Sequence, residues 1–185
     1  FGEETQNTVI LECCSKVRGE LHEWGDANCV IFDPLKESEH VISASEPEGD
    51  DFKILGVFFD CQLEMGGAVH ALIVDVARKT KSILCSRRYY SVGELICLYK
   101  SHVLSFIEFR TAAIYHAKRE VLQNLDRAQD KFLGEIGASE EDALLVHNLA
   151  PLRLRRDIAM LGVVHRAALK KGPPQFFDVF KKVSS

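Results

Sequence analysis

The chain has 185 residues, which is enough for one domain or for one domain with a small appendage. Hydrophobic residues make up 46% of it and charged residues 27%, as in ordinary globular proteins. No apolar run approaches the roughly 20 residues that a membrane helix requires, and no basic start precedes an apolar stretch as in a signal peptide. We therefore expect an intracellular protein, nuclear or cytoplasmic, with no membrane partner. Because the first residue is Phe1, we expect a processed chain, a piece of a longer one, or an incomplete gene model.

Charge is distributed unevenly along the chain. Residues 1–60 contain fourteen Asp and Glu against four Lys and Arg, a balance of −10, whereas residues 61–185 contain thirteen against nineteen, a balance of +6. Such asymmetry predicts a basic surface in the second part that meets an anionic partner. Solvated helix faces are also often basic, so the charge pattern alone leaves both interpretations open.

The cysteines form no Cys-x-x-Cys pair, and most lie in apolar stretches. We therefore predict buried, reduced thiols rather than disulfides or a zinc site. The seven histidines are scattered, and we assign no chemistry to them. The six cysteines are Cys13, Cys14, Cys29, Cys61, Cys85 and Cys97.

The first part of the sequence predicts one helix followed by three short strands. Apolar residues at helical spacing predict a helix over 9–24, with Trp24 on its buried face and Gly25 at its end. Short runs rich in β-formers predict the strands. The predicted strands are 29–33, 40–43 and 52–59, and the apolar helix positions are Val9, Cys13, Val17, Leu21 and Trp24.

The pattern changes to helices near Asp60, where we place a domain boundary. Ser91 and Glu94 have the spacing of a capping box, which predicts the start of a long helix. Either Gly134 or Gly137 is predicted to end another. The predicted helices are 65–82, 91–116, 120–135, a short one from Ser139, and one from Pro151 to Gly172, followed by a short amphipathic segment over 176–183. Pro151 is predicted in the first turn of its helix, and Leu154, Ile158, Leu161 and His165 recur along that helix at the spacing of one buried face.

Three stretches carry motifs whose order and spacing form one pattern. The first is a helix that ends in Trp, then a strand, then a lysine near a small hydroxyl residue. The second is a strand with the sequence hydrophobic-Leu-Gly-Val, and the third is the helical remainder. Along the chain they are Leu21-His22-Glu23-Trp24 with Phe32-Asp33-Pro34 and Lys36-Glu37-Ser38; Phe52-Lys53-Ile54-Leu55-Gly56-Val57 with Asp60; and Leu98-Tyr99-Lys100, 125–133, Leu149-Ala150-Pro151-Leu152 and Leu154-Arg155-Arg156-Asp157.

Together these stretches resemble the reverse transcriptases of non-LTR retrotransposons, over about residues 13–180. The resemblance implies that residues 1–60 are the end of the polymerase palm, with motif D and the primer-grip strand of motif E. It implies that residues 61–185 are a helical thumb. The implied fold class is α+β: a truncated palm with a small antiparallel sheet, followed by an all-α thumb.

The chain departs from the family at the catalytic residues. The family's catalytic Asp pair lies just before the helix that begins this chain, and its first metal-binding Asp lies further upstream. Phosphoryl transfer by two metal ions requires those carboxylates. We therefore expect a fragment of an RNA-directed DNA polymerase that is not catalytic alone, with no cofactor in this chain, although the intact family uses Mg²⁺.

Gly49-Asp50-Asp51 is similar to a polymerase signature but stands in the wrong context. A catalytic pair belongs in a tight turn between two apolar strands, ahead of motif D. Here it follows a polar segment and comes after Lys36. We interpret it as a solvated acidic loop rather than a metal site.

Lys36 and the primer-grip residues are the candidate site residues of the first part. The resemblance implies that Lys36 lies near the phosphates of the incoming nucleotide, as an accessory to catalysis, where an ammonium would stabilise negative charge; it could equally be a surface lysine. Leu55, Gly56 and Val57 would form the primer grip, since Gly lets another backbone approach closely. The alternative for these three is a buried strand with a bulge.

Basic residues of the second part are the candidate nucleic-acid contacts. Cations bind phosphates, and neighbouring aromatic rings pack on sugars or bases. A solvated helix end would have the same composition, so both interpretations stand. The candidates are Lys79, Lys81, Arg87 and Arg88, with Arg78, Tyr89 and Tyr90 beside them, and Arg155 and Arg156, with Arg153 nearby and Asp157 as a possible ion-pair partner.

These observations predict a fragment that grips a primer–template or RNA–DNA duplex. Its other expected partner is the upstream palm and fingers of the same polyprotein, if present. Two alternatives remain: a helical protein–protein interaction module with an apolar groove, and a retroelement relic without function.

Overall fold

The computed structural model describes residues 6–33 and 36–176. The chain divides into two compact units, residues 1–64 and residues 65–185. The described residues are mostly helical and include one two-stranded antiparallel sheet, which confirms the α+β class at that level. None of the described helices is both long enough and apolar enough to cross a bilayer.

Helix α1 (Gln6–Ala27) opens the first unit and continues past Gly25, so the predicted helix end is wrong. A left-handed residue does follow the helix, but it is Cys29, with a φ of 57°. Gly25 serves a packing role instead. A Cβ there would lie 2.6 Å from the ring of Phe32 and 2.8 Å from the carbonyl oxygen of Val30. Glycine therefore lets the chain fold back tightly against the end of the helix.

Two of the three predicted strands do not form. Residues 29–33 follow an irregular path, and residues 40–43 contribute only one isolated antiparallel bridge, between Val41 and Glu48. A run of β-forming residues becomes a strand only when another strand satisfies its backbone hydrogen bonds. Within residues 6–33 and 36–64, neither segment pairs with a strand, and the backbone–backbone hydrogen bonds of residues 40–43 go to Glu48 and Cys61.

The third predicted strand is a β-hairpin. Residues 52–59 divide into β1 (Phe52–Ile54) and β2 (Val57–Phe59), which pair antiparallel. Leu55 and Gly56, between the strands, have φ angles of 49° and 83°. Positive φ at both central residues is the type I′ combination, whose twist matches that of paired strands. Gly56, which we expected to let another backbone approach closely, instead lies in the turn between the two strands.

The second unit is entirely helical in its described residues. Its elements are α2 (Gly66–Cys85), a 3₁₀ turn (Arg87–Tyr89), α3 (Val92–Tyr99), a π-helical segment (Lys100–Leu104), α4 (Ser105–Glu108), α5 (Thr111–Ile114), α6 (Arg119–Ile136), α7 (Glu140–Leu145), α8 (Leu152–Ala168) and a 3₁₀ turn (Pro174–Phe176). The remainder of the predicted segment over 176–183 lies outside the described residues.

The core of the second unit forms where α2 packs on α6 and on α3. Tyr99 of α3 stacks on Phe132 of α6, with ring centroids 4.3 Å apart, and both side chains are fully buried. Aromatic pairs of this kind contribute large apolar areas to a core. The helix predicted over 65–82 is confirmed as α2, and one of its faces is buried in this core. The buried residues on that face are Val69, Leu72, Val76, Thr80 and Ile83.

Three predicted helix boundaries are confirmed. The Ser91 hydroxyl accepts a hydrogen bond from the backbone N–H of Glu94 at 3.4 Å, and the Glu94 carboxylate accepts one from the backbone N–H of Ser91 at 2.8 Å. That backbone bond, and a second one from the Ser91 hydroxyl, hold the pKa of Glu94 below its usual value. Ser139 caps α7 through the backbone N–H of Asp142, and Gly137, at a φ of 72°, ends α6.

The helix predicted from Ser91 to about His116 is interrupted. After α3 the hydrogen bonding widens into the π-helical segment, α4 ends at Glu108, and a separate turn of helix begins at Thr111. The ammonium of Lys100, at the start of the π-helical segment, donates to the backbone carbonyl oxygen of His147 at 2.6 Å. Because Lys100 and His147 are 47 positions apart, the helical pattern of neighbouring residues does not predict this contact.

The last long helix presents a different face from the one predicted. Pro151 precedes α8 as its N-cap instead of lying in its first turn. Leu154, Ile158 and Leu161 are 47%, 59% and 66% exposed, so the predicted buried stripe faces solvent. The residues that α8 buries are Leu152, Arg156 and Ala167.

Predicted burial also fails at Trp24 and at most cysteines. Trp24 is 55% exposed, and the apolar stripe of α1 to which it belongs is largely exposed with it. All six cysteines are free thiols, but only Cys61 is buried. Apolar sequence neighbours indicate a core only when another element covers the same face.

Candidate nucleic-acid interface

A basic segment joins α2 to α3. Between Asp75 and Glu94 the chain contains five cations and no acid. Arg78 pairs with Asp75 on the same helix face, and the tyrosines that follow, Tyr89 and Tyr90, are exposed. The predicted clustering of positive charge and aromatic rings at this helix end is therefore present on the surface.

Lys79 contacts the protein itself. Its ammonium lies 4.7 Å from the centre of the Phe106 ring, and the guanidinium of Arg110 lies 3.8 Å from the centre of the same ring. A cation held over an aromatic face is stabilised by the ring quadrupole. Lys79 thus adds positive potential to the segment, while its side chain packs against Phe106.

Lys81 and Arg88 are the cations of this segment that are most available to a ligand. Lys81 is exposed and has neither a hydrogen bond nor an ion pair within residues 65–176. Arg88 is exposed, with its guanidinium 5.7 Å from the Tyr89 ring. Arg87 pairs with Glu135 at 3.0 Å on the surface, where ion pairs are weak and exchange readily.

The two predicted contacts on α8 both pair with acidic residues of the protein itself, Arg155 at the surface and Arg156 in the interior. Arg155 forms an ion pair with Glu108, with its Nε 2.6 Å from the carboxylate. Arg156 is buried and donates to both carboxylate oxygens of Asp126, at 2.6 and 2.9 Å. Arg156 is therefore unsuited to contact a duplex, because its guanidinium faces α6 and not solvent. Asp157, considered as an arginine partner, accepts a hydrogen bond from the Tyr115 hydroxyl at 3.1 Å.

The residues predicted to form the primer grip lie at the hairpin tip and at the start of β2. Leu55 is 84% exposed, Gly56 shares the turn with it, and Val57 is buried at the start of β2. The tip therefore presents Leu55 to solvent, while Val57 anchors the strand. Contact with a primer stays a prediction for these residues.

Lys36 is exposed and pairs with Asp33 at 3.1 Å, a surface contact that leaves the ammonium accessible. It also borders a groove of about 790 Å³ within the first unit, lined by α1, residues 36–42 and β1. The structure thus places Lys36 and strand β1 along one groove. Its walls are mostly apolar, from Val17, Leu21, Phe32, Ile42, Phe52 and Ile54.

Asp50 and Asp51 lie in an exposed loop before β1, as the sequence predicts. The nearby thiol of Cys61 lies 3.5 Å from the carbonyl oxygens of Gly49 and Asp50. Burial raises the pKa of this thiol, and the carboxylates of Asp51, Asp60 and Asp50 raise it further. Over residues 6–33 and 36–176, no group of three or more His, Cys, Asp or Glu side chains could hold a metal ion.

Sequence reasoning missed one basic pocket in the second unit. Its volume is about 330 Å³, and Arg119 and Arg153 line it from two different helices. The positions are 34 residues apart in number but come together because α6 and α8 pack against each other. Arg119 sits at a helix start, where basic residues are not favoured, and that was the only local signal.

Comparison of the chain with protein-family models, with curated proteins and with solved structures finds no match.

Proposed function

We propose that the chain is the end of the palm and the thumb of a non-LTR-type reverse transcriptase, and that its second unit grips the primer–template duplex. The observation that carries the proposal is the basic segment over 78–90, where Lys81 and Arg88 are exposed and Arg88 lies beside the Tyr89 ring. The resemblance of the motifs predicts that the ligand is a primer–template duplex, and the cations of the basic segment would bind its phosphates.

The basic segment suits a nucleic-acid backbone for a physical reason. Each phosphate that a cation neutralises releases condensed counterions, which drives binding at low salt. The ring of Tyr89 beside Arg88 offers a flat surface for a sugar or a base. Because no acid lies between Asp75 and Glu94, the segment contains no carboxylate to repel the phosphates.

The first unit contributes to the same proposal through its groove. Lys36 and β1 border it together, as motif D and motif E would in a palm. The chain contains no counterpart of the family's catalytic Asp pair, so it does not polymerise by itself. The upstream palm and fingers would supply those carboxylates and the Mg²⁺ ions that they bind.

The experiment is fluorescence anisotropy of a labelled RNA–DNA hybrid titrated with the full chain at three salt concentrations. We expect binding that weakens steeply with salt, and a shallower slope for Lys81→Gln/Arg88→Gln, by about 2 in log–log units. The control is Arg127→Gln/Lys131→Gln, which removes the same charge from the exposed face of α6. No binding by well-folded protein at low salt would overturn the proposal, as would equal losses in both double variants. Incorporation of deoxynucleotides by the chain alone on a primed RNA template would contradict its lack of catalysis.

A second candidate function is a protein–protein interaction module. The exposed stripe of Leu154, Ile158 and Leu161 on α8 favours it, since an apolar helix face of this kind can bind a partner helix. Sedimentation distinguishes the two: concentration-dependent self-association that Ile158→Gln abolishes, with no response to the hybrid, would favour the module.

A further inference from the structure

We propose that Arg119 and Arg153 form a binding site for one phosphate-type oxyanion. Both line the pocket of about 330 Å³ that is bordered by the first turns of α6 and α8 and by residues 115–117. Arg119 is the first residue of α6, and Arg153 is the second residue of α8. Planar guanidinium groups bind oxyanions through paired hydrogen bonds, which suits a phosphate better than a spherical anion.

The charges of the pocket leave these two arginines available. Asp126 is occupied by the guanidinium of Arg156, at 2.6 and 2.9 Å, and Asp157 accepts from the Tyr115 hydroxyl at 3.1 Å. Arg119 and Arg153, by contrast, have no hydrogen bond or ion pair within residues 65–176. Each carboxylate in the pocket therefore already has a hydrogen-bond donor, and Arg119 and Arg153 line the same small volume. With three arginines and two aspartates in its lining, the pocket has a net charge of +1.

The helix starts add to this preference for an anion. Neither α6 nor α8 has a side chain that caps its first turn, because their N-cap residues are Lys118 and Pro151. The backbone N–H groups of an uncapped first turn lack acceptors, and the helix dipole places partial positive charge there. Two uncapped helix starts beside Arg119 and Arg153 therefore favour an anion in this pocket.

The neighbouring ion pair explains why the pocket keeps its form without a ligand. Arg156 is buried and joined to Asp126, so it ties α8 to α6 at the same pocket. The two helix starts that carry Arg119 and Arg153 are therefore held together by the protein core.

The same oxyanion chemistry could come from two sources: a phosphate of a nucleic-acid backbone, or a free phosphorylated small molecule. The first test uses inorganic phosphate and the full chain, at constant ionic strength with chloride as the comparison, measured by calorimetry and by the NMR signals of the arginine Nε–H groups. We expect saturable binding that Arg119→Gln/Arg153→Gln weakens at least tenfold, equivalent to about 1.4 kcal/mol.

The matched control is Arg127→Gln, which removes an exposed arginine of α6 outside the pocket and should bind phosphate like the wild type. Because Arg119 and Arg153 are exposed, the double variant should keep the unfolding midpoint of the wild type in chloride. Equal phosphate binding by the double variant, or no binding by the wild type, would overturn the site.

The second test identifies the source. If phosphate competes with a labelled RNA–DNA hybrid for the wild type but not for the double variant, the site holds a backbone phosphate of the duplex. If phosphate binds without affecting the hybrid, the site holds a free phosphorylated molecule. The first test uses no hybrid and does not depend on Lys81 and Arg88, so failure of the duplex grip and failure of this site give different patterns.

Discussion

The guanidinium of Arg156 donates to both carboxylate oxygens of Asp126, at 2.6 and 2.9 Å, and links α8 to α6. Only 5% of Arg156 is exposed. A paired charge in such a position carries little net stability, but leaving either partner unpaired is costly. The contact lies on the inward face of α8 together with Leu152 and Ala167, whereas Leu154 and Ile158 face solvent.

Replacing one partner of this pair should destabilise the second unit. We expect Asp126→Asn to lower the free energy of unfolding by about 3 kcal/mol, because it leaves a buried guanidinium without its counter-charge. The double variant Asp126→Leu/Arg156→Met should recover much of that loss. Urea unfolding followed by circular dichroism measures both, and a loss below about 0.5 kcal/mol in Asp126→Asn would show that the pair is solvated.

The apolar residues exposed on α8 should tolerate polar substitution. We expect Leu154→Gln/Ile158→Gln/Leu161→Gln to change the free energy of unfolding by less than about 0.5 kcal/mol for each position, as at ordinary surface sites. Leu152→Ala, at a buried position on the same helix, should cost about 2–5 kcal/mol. Thermal unfolding compares them, and a large loss in the triple variant would show that this stripe is covered by another element.

Tyr99→Phe should leave the protein as stable as the wild type or stabilise it by about 1 kcal/mol at neutral pH. The Tyr99 hydroxyl is buried and has no hydrogen-bond partner among residues 6–33 and 36–176, so removing it relieves an uncompensated desolvation. Tyr115→Phe is the contrasting variant, since its hydroxyl bonds to Asp157 at 3.1 Å. Denaturant unfolding at pH 7 decides the matter, and a clear loss in Tyr99→Phe would reveal a partner for the hydroxyl.

The same residue predicts a pH dependence. Burial, and then the charge of Asp130, raise the pKa of Tyr99 above its ordinary value. In the unfolded chain the Tyr99 hydroxyl loses its proton near pH 10, and in the folded chain it does so only at a higher pH. The contribution of this difference in pKa to the free energy of unfolding is therefore complete below pH 10 and is lost as the pH rises. We expect the free energy of unfolding to fall more steeply above pH 10 in the wild type than in Tyr99→Phe. Parallel curves for the two proteins would refute this.

The hairpin turn of the first unit should be improved by a better turn residue. Leu55 adopts a φ of 49° and is 84% exposed, so a branched apolar side chain is strained there and packs on nothing. We expect Leu55→Asn to stabilise the hairpin by about 0.5–1 kcal/mol, and Gly56→Val to weaken it. Amide hydrogen exchange of Phe52 to Phe59 reports the change, and faster exchange in Leu55→Asn would contradict it.

Local features of the sequence predicted three helix boundaries of the second unit. The capping box of Ser91 and Glu94, the cap at Ser139 and the left-handed Gly137 depend on contacts within a few residues, so neighbouring residues suffice to predict them. The strand predictions at 29–33 and 40–43 were wrong because strands need distant partners. The single strand at 52–59 was wrong because its glycine forms a turn.

The candidate sites also include some features that neighbouring residues predict and others that depend on distant partners. The sequence by itself determined where positive charge accumulates, since Lys81 and Arg88 lie in an acid-free segment. Only the tertiary structure decided that Arg156 is buried against Asp126, that Trp24 is exposed, and that Arg119 meets Arg153. Charge and capping are properties of short segments, whereas burial and ion pairing depend on which helix face another helix covers. That choice is made by the packing of the whole unit.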